Sequence, residues 1–212
     1  MPIKMYSYVL DHDYGLAPNP FGEFCTLAVC KPRIRRSNNL KIGDWIIGTG
    51  SKALEKLSSR KYVGKLIYAM EVQERITFDQ YWNDERFAYK RPLVHGSLTT
   101  MYGDNIYWRD KHNGWHQLNS AHSNEDGTTN LKHLKSDLGG HNVLISRDYY
   151  YFGENAPVIP NEFEGISHSG IGEKLVDQKY IAPFIAWLSR NFEKGIHGDP
   201  INWINYKQLN LF

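Results

Sequence analysis

One of the two cysteines in the sequence stands next to a cation. The 212 residues contain Cys25 and Cys30, separated by Thr-Leu-Ala-Val, and Lys31 follows the second cysteine. A CxxxxC pair without further cysteines does not make a zinc framework, and a disulfide would be unusual in a cytosolic protein. A nearby cation favours the thiolate, so Cys30 is a candidate nucleophile. The alternative is that both residues are ordinary thiols, at least one of them buried.

Asp13 is a candidate general base, because it lies with Asp11 in a loop dense in turn-forming residues. Together with Cys30 or Lys31 as a nucleophile, it would make the chain an enzyme. Asx residues also cap loops for structural reasons, and this reading stays open. Two acids are weak evidence for a metal ion, and none of the nine histidines stands in an HExxH arrangement. We therefore predict neither a metal site nor a cofactor.

A basic segment follows Cys30 and predicts a phosphate contact. Five cations fall within eleven residues that contain no acid: Lys31, Arg33, Arg35, Arg36 and Lys41. Guanidinium groups match a phosphate or a guanine edge with two parallel hydrogen bonds, so Lys31, Arg33 and Arg35 are candidate ligands of a phosphate. A solvated basic face is the alternative. The formal net charge of +2 argues against strong binding to a phosphate backbone over a wide surface.

The segment Gly48-Thr49-Gly50-Ser51-Lys52 ends a predicted strand with small residues. It lacks the spacing of a P-loop. Glycines would let a flat ligand approach the backbone, and the hydroxyls of Thr49 and Ser51 would read the edge of a base. A simple strand-ending turn is the alternative.

Three further residues are candidate contacts of a base. Asn19 suits the edge of an adenine-like or cytosine-like base, and Phe21 lies beside it in the same loop. Tyr8 would stack on the base, which contributes about 1–3 kcal/mol per base. His95, His122 and His168 each have a serine nearby, but no GxSxG elbow is present, so we do not expect a serine hydrolase triad.

Strands and helices that would position these residues follow from the apolar pattern. Residues 3–10 and 42–50 predict strands, 60–74 a long strand, and Thr77 the N-cap of a short helix. Residues 172–192 predict the best helix, which Pro183 should kink or split. Further short strands are predicted at residues 105–108, 115–118, 142–146 and 149–152.

Residues 119–141 form a long polar connection with few apolar anchors, typical of a functional or mobile loop. No run of 18 apolar residues and no secretory signal occurs, so we predict a cytoplasmic protein without a membrane partner. The order of elements favours an α+β fold with a small barrel, peripheral helices and a C-terminal helix.

At these residues the chain resembles a family of phages and bacteria, nucleotide modification associated domain 2. The resemblance spans most of residues 3–160 and rests on several strings: Tyr6–Val9, Asp13–Phe21, Cys25–Arg35, Gly43–Ser51, Tyr102–Tyr107 and Tyr151–Gly153. That family occurs in the gene neighbourhoods of systems that hypermodify DNA bases. The resemblance therefore implies a pathway, with a nucleic acid or a nucleotide as ligand and other DNA-modification proteins as partners.

A second resemblance concerns the fold. The order of strands, the basic segment and the small-residue strand end look like the EVE branch of the PUA-like barrels. It implies a barrel over residues 1–160 and a helical extension over 161–212 packed on it. It also implies a pocket lined by Tyr8, Arg33, Arg35, Thr49 and Ser51. The leading hypothesis is recognition of a modified base or nucleotide. The alternatives are an enzyme acting on a nucleobase or nucleotide, and a sensor of a nucleotide signal in phage defence or counter-defence.

Overall fold

The protein divides into two units that interleave along the chain. The computed structural model describes residues 2–168, 170 and 172–206, except for the side chains of residues 204–206. The first unit contains Met1–Tyr14, Gly43–Glu71 and Asp148–Phe212, and the second contains Gly15–Ile42 and Val72–Arg147. The sequence-based boundary at residue 160 falls inside the first unit, and residues 207–212 of the predicted extension lie outside the described residues.

The secondary structure mixes short strands with short helices. In chain order, the described strands are β1 Met5–Leu10, β2 Cys25–Leu27, β3 Trp45–Gly50, β4 Leu66–Glu71, β5 Glu74–Thr77, β6 Tyr107–Arg109, β7 Trp115–Gln117, β8 Asn142–Ser146, β9 Tyr149–Tyr151, β10 Glu173–Leu175 and β11 Gly195–Ile196. The α-helices are α1 Pro32–Arg35, α2 Lys52–Ser58, α3 Phe78–Asn83, α4 Leu98–Met101, α5 Leu131–Leu138 and α6 Gln178–Asn191. Short 3₁₀ helices cover Glu85–Lys90, Gly153–Asn155, Asn161–Ile166 and Ile201–Tyr206.

The first unit is built on a six-stranded sheet with the order β10-β1-β3-β4-β9-β11. Strands β1 and β3 are parallel, whereas β3, β4 and β9 pair in antiparallel fashion. Strands β10 and β11 are the two edges, so this sheet of the described residues is not closed into a barrel. The prediction of strands and helices mixed in one chain is confirmed, but the PUA/EVE-like barrel is not.

Strand β3 is buried along its whole length, as its apolar sequence predicts. Two of its glycines are required by close packing. A Cβ at Gly48 would collide with the side chains of Leu10 and Tyr68, and one at Gly50 with the backbone of Tyr62. The positions that side chains would take at these two glycines are therefore occupied by other atoms of the protein.

The second unit contains a three-stranded antiparallel sheet, β2-β8-β5, and the hairpin β6-β7. Helix α3 begins at Thr77 with a capping box, in which the Thr77 side chain and the Gln80 side chain each bind the other residue's backbone N–H. This confirms the predicted N-cap.

Helix α6 in the first unit confirms the strongest helix prediction with shorter bounds. Asp177 caps it, and Ile181, Phe184 and Leu188 form its buried face at helical spacing. Pro183 lies inside the helix and does not end it. Of the helices in the described part of the chain, none has the length and apolar character needed to cross a membrane.

Candidate active site at Cys30

Cys30 stands at the turn between strand β2 and helix α1 in the second unit. Its backbone is in the left-handed region, with φ of 56°, and φ of Lys31 is 42°. Residues other than glycine seldom adopt this conformation, and such strain concentrates at functional sites. Pro32 then occupies the first turn of α1, where its missing N–H costs nothing. The turn leaves Cys30 partly exposed, whereas Cys25 is fully buried.

His122 and Asp137 complete a line of three groups with Cys30. The Sγ atom of Cys30 lies 3.7 Å from Nε2 of His122, and Nδ1 of His122 lies 2.7 Å from Oδ2 of Asp137. An ionised carboxylate only accepts hydrogen bonds, so the proton on Nδ1 donates to Asp137 and fixes the ring with Nε2 towards the sulfur. The arrangement of thiol, imidazole and carboxylate is the one that activates a cysteine nucleophile.

Asp137 lies near the end of α5 and is the buried centre of this cluster. Its Oδ1 accepts the backbone N–H of Cys30 at 2.7 Å, and its Oδ2 also accepts the hydroxyl of Tyr107 at 2.7 Å. Burial acts to raise the pKa of Asp137, but the hydrogen bond and charge of His122 outweigh it and lower the pKa below its usual value. Asp137 is therefore a carboxylate in the folded protein.

The imidazole of His122 is 7% exposed and carries a proton at neutral pH. Burial acts to lower the pKa of His122, but its hydrogen bonds with Asp137 and Cys30 and the charges of these groups raise it to about 10. A protonated imidazole in this position can donate its Nε2 proton to a group that reacts beside the sulfur.

Arg35 is fully buried and fixes the backbone around the site. Its guanidinium donates to the carbonyls of Cys30, Asn142 and Asp137 at 2.7, 2.8 and 2.7 Å. Burial lowers the pKa of Arg35 to about 10, against the opposing charge of Asp137. Binding of a phosphate by Arg35 would require these three hydrogen bonds to break, so we assign the side chain to holding Cys30 and α5.

Gln117 on β7 ties His122 to the start of α5. Its Nε2 donates to the carbonyl of His122 at 2.9 Å, and its Oε1 accepts the backbone N–H of Asn130 at 2.8 Å. Asn130 is also the N-cap of α5. These hydrogen bonds set the position of the imidazole relative to the helix that carries Asp137.

His133 lies beside this cluster, one turn before Asp137 on α5. Its ring centroid is 4.3 Å from that of His122. Burial and the charge of His122 lower the pKa of His133. One ligand atom each from His122, His133 and Asp137 lie within 4.8 Å of one another, so the three residues could hold a metal ion. The sequence predicted no metal site.

Among the predicted site residues around Cys30, the basic ones lie in different environments. Arg33 is exposed and Lys31 is partly exposed, both within three residues of Cys30. Their role in binding phosphate stays a prediction.

Asp13, the predicted general base, belongs to the first unit and supports the backbone there. Its carboxylate accepts the hydroxyl of Tyr151 at 2.6 Å and the backbone N–H of Ile201 at 3.2 Å, and the side chain of Asn202 accepts the N–H of Asp13 at 2.6 Å. Its place in the chemistry stays a prediction, and His122 is the proton-carrying group that lies beside Cys30.

Asn19 and Phe21 surround a buried lysine in the second unit. The amine of Lys90 donates to both oxygens of Asn19 and to the carbonyl of Phe21, over 2.6–3.1 Å. Asn19 also donates to the carbonyl of Tyr102 at 3.0 Å. Because Asn19 is 1% exposed, these bonds give it a structural role, and its contact with a base stays a prediction.

Three of the predicted base contacts lie in the first unit: Tyr8 on β1, Thr49 on β3 and Ser51 directly after β3. Tyr8 is fully buried, and its hydroxyl lies 2.6 Å from that of Tyr68. The hydroxyl of Thr49 donates to the carbonyl of Tyr8 at 3.4 Å, and Ser51 caps α2 by accepting the N–H of Leu54 at 3.1 Å. Stacking on Tyr8 would need its ring to be uncovered.

A cleft of about 450 Å³ nevertheless opens beside the end of β3. Thr49 and Gly50 contribute to its floor, and the exposed apolar side chains of Val63 and Val158 to its walls. His168 also lines the cleft, and its buried Nε2 has no hydrogen-bond partner among the described residues. Asn161, Glu164 and Ser167 add further polar side chains to the lining of the cleft, and the role of Thr49 in reading a base stays a prediction.

The sequence reading missed Asp137 and the pairing of Cys30 with His122. In the sequence, His122 stood out only for its neighbouring serines. One local signal was available: His133 and Asp137 are four residues apart, the spacing that places two side chains on one helix face.

The fold and the site define a mixed α/β protein with a cysteine–histidine–aspartate cluster. Its sequence matches the family described as nucleotide modification associated domain 2 over residues 2–207, nearly the whole chain. The chain therefore belongs to that family, and the resemblance seen in the sequence is confirmed. No curated protein and no solved structure matches it.

Proposed function

We propose that the protein is an enzyme of nucleotide modification in which Cys30 is the nucleophile. One observation carries the proposal: Cys30, His122 and Asp137 stand in line, with 3.7 Å from Sγ to Nε2 and 2.7 Å from Nδ1 to Oδ2. Family membership supplies the nucleotide context, and the geometry supplies the reaction class.

In this mechanism the thiolate of Cys30 adds to an electrophilic carbon of a nucleobase or of a group carried on it. A carbon–sulfur bond forms, and the electron pair displaced from that carbon moves to the neighbouring oxygen or nitrogen. The imidazolium of His122 gives its Nε2 proton to that atom or to a leaving group. A second nucleophile then displaces the sulfur and returns its own proton to His122. Asp137 keeps the ring oriented and stabilises its positive charge throughout.

The cations beside the thiol favour a substrate that carries phosphate. Lys31 follows Cys30 directly, and Arg33 is exposed on the first turn of α1. Arginine and lysine next to a reactive group commonly hold the phosphate of a nucleotide while the base reacts. Arg33 is thus the proposed phosphate contact.

The test is trapping of the covalent adduct. The reduced protein is incubated with deoxynucleoside monophosphates that carry plain or 5-hydroxymethylated bases, and its intact mass is measured after acid quenching. We expect an added mass on the Cys30 peptide that Cys30→Ser abolishes, His122→Ala reduces and Cys25→Ala retains. Elevated alkylation of Cys30 by iodoacetamide at neutral pH is the substrate-independent readout. If Cys30 reacted no faster than a free thiol, and no nucleotide left a mass on it, the proposal would be rejected.

Recognition of a base without catalysis is the second candidate function, and the cleft beside Thr49 favours it. Its volume of about 450 Å³ is within the range of small-molecule sites, and Val63 and Val158 offer apolar walls for a flat ring. The unpartnered Nε2 of His168 would bind the edge of the base.

Calorimetry with matched plain and modified oligonucleotides tests this candidate. We expect Val158→Trp, which fills the cleft from an exposed position, to abolish preferential binding of the modified oligonucleotide. Leu175→Trp, at a similarly exposed apolar residue of the same unit, is the control. Equal and negligible binding of both oligonucleotides to the wild-type protein would exclude the cleft as a base reader.

A further inference from the structure

The cluster at Cys30 has the donor groups of a metal site as well as those of a nucleophile. It combines a thiol, two imidazoles and a carboxylate, all in the second unit. One ligand atom each from His122, His133 and Asp137 lie within 4.8 Å of one another, and the sulfur of Cys30 adjoins Nε2 of His122.

We propose that this cluster binds a divalent transition-metal ion of the zinc class through the sulfur of Cys30 and Nε2 of His122, which releases its Nε2 proton to solvent as the ion binds. His133 is the third protein ligand, and Asp137 holds His122 from behind. The ion and a substrate would compete for the same sulfur, so binding of the metal switches off the nucleophile.

The distance between the two main ligands supports this assignment. Tetrahedral zinc has Zn–S of about 2.3 Å and Zn–N of about 2.0–2.1 Å, which together place sulfur and nitrogen about 3.6 Å apart. The observed separation of Cys30 Sγ and His122 Nε2 is 3.7 Å. The separation of the pair therefore matches that of two ligands of one zinc ion. Thiolate and imidazole are also the ligand types that select zinc over magnesium or calcium.

The hydrogen bonds that hold the proposed ligands match those found around zinc in proteins. A histidine ligand generally donates its other ring N–H to a carboxylate, which orients the ring and makes it a stronger ligand. Asp137 accepts that N–H from His122 at 2.7 Å and is itself held by the hydroxyl of Tyr107 and the N–H of Cys30. Each of these contacts is already formed without an ion.

His133 completes the protein ligands from the neighbouring turn of α5. Its ring is tilted by 35° from that of His122 at a centroid distance of 4.3 Å. It is partly exposed, so its side chain can turn at the surface towards the ion without disturbing the core. A water molecule or a further donor would fill the fourth position of the tetrahedron.

Cobalt(II) is the probe that tests this inference, because a thiolate ligand gives it a near-ultraviolet charge-transfer band. The reduced, chelator-treated full chain is titrated with cobalt, and we expect a saturable band that Cys30→Ser abolishes. We expect His133→Ala to weaken cobalt binding by about tenfold or more. Cys25→Ala, which removes the other thiol, should keep the band.

A second experiment uses only the wild-type protein and so does not depend on the folding of a variant. It measures how zinc protects Cys30 from alkylation. Zinc should slow the alkylation of Cys30 by iodoacetamide in a saturable manner, and a chelator should restore the rate. The inference is overturned if cobalt gives no thiolate band, if the band survives Cys30→Ser, or if zinc leaves the alkylation rate unchanged. These readouts need no nucleotide, so they test the metal site independently of the proposed reaction.

Discussion

Replacement of Asp137 by asparagine is the sharpest perturbation of the site. The wild-type carboxylate accepts hydrogen bonds from the N–H of Cys30, from Nδ1 of His122 and from the hydroxyl of Tyr107, each at 2.7 Å. In Asp137→Asn one oxygen becomes an NH₂ group, which cannot accept, and the negative charge beside the imidazolium is lost. Breaking a buried charge pair by removing one partner costs about 3–5 kcal/mol. We therefore expect the free energy of unfolding to fall by about 3 kcal/mol or more.

The same substitution should slow the thiol. The pKa of His122 is held at about 10 by its contacts with Asp137 and Cys30, compared with an ordinary value of 6.5. Without the carboxylate the imidazole loses much of its charge at pH 7, and each pKa unit corresponds to about 1.4 kcal/mol, a factor of ten. Alkylation of Cys30 by iodoacetamide should therefore slow by about tenfold or more.

The two measurements are urea unfolding and the alkylation rate by intact mass. Cys25 is an internal inert thiol, because burial raises its pKa to about 12, so the mass reports on Cys30. Asp126→Asn, an exposed aspartate of the same unit, is the matched control. If Asp137→Asn unfolded within about 0.5 kcal/mol of the wild type, as surface changes do, and reacted at the wild-type rate, the site would be wrongly described.

Three further substitutions in the second unit have expected effects on the free energy of unfolding. Folding raises the pKa of His122 from 6.5 to about 10, so protonated His122 stabilises the folded protein fully below pH 6.5 and this stabilisation is lost as the pH rises towards about 10. Urea unfolding should therefore show the wild type losing stability relative to His122→Asn over that pH range. Burial lowers the pKa of Lys90 from 10.5 to about 8, so the unfolded chain binds more protons between these values, and the stability of the wild type relative to Lys90→Met should rise with pH there. A Cβ at Gly140 would collide with the guanidinium of Arg35, which three hydrogen bonds hold in place, so Gly140→Ala should lower the unfolding free energy by about 1–3 kcal/mol in the same assay.

Elements with a strong apolar pattern were predictable from the sequence. Strand β3 is an apolar run after a Gly-Asp turn, and α6 repeats apolar residues at helical spacing, so both were found near their observed bounds. Helix α5 was missed because its sequence, Leu-Lys-His-Leu-Lys-Ser-Asp-Leu, lies in a polar stretch and its only buried residue is Asp137. A helix whose buried face is ionic has no apolar stripe to reveal it.

The candidate site was predictable only in part. Cys30 was found because a single residue type next to a cation carries a local signal. His122 and Asp137 lie 92 and 107 residues further along the chain, and only the fold brings them to the thiol. The interleaving of the two units was unpredictable for the same reason, because a local sequence pattern does not indicate which distant strands will pair.

Arg35 belongs to the basic segment but is fully buried, which the sequence pattern did not indicate. Alternating cations indicate a solvated face, and a buried arginine is exceptional unless it is paired. Here the guanidinium binds the carbonyl of Cys30, while Asp137 binds the N–H of the same residue. Both peptide groups that flank the strained Cα of Cys30 are therefore fixed by buried charged side chains. A left-handed backbone at a residue with a side chain persists only where its surroundings over-determine it. The buried ion pair of Arg35 and Asp137 supplies these surroundings. Burying two charges costs free energy, and in return the pair holds the backbone of Cys30 so that its sulfur faces His122.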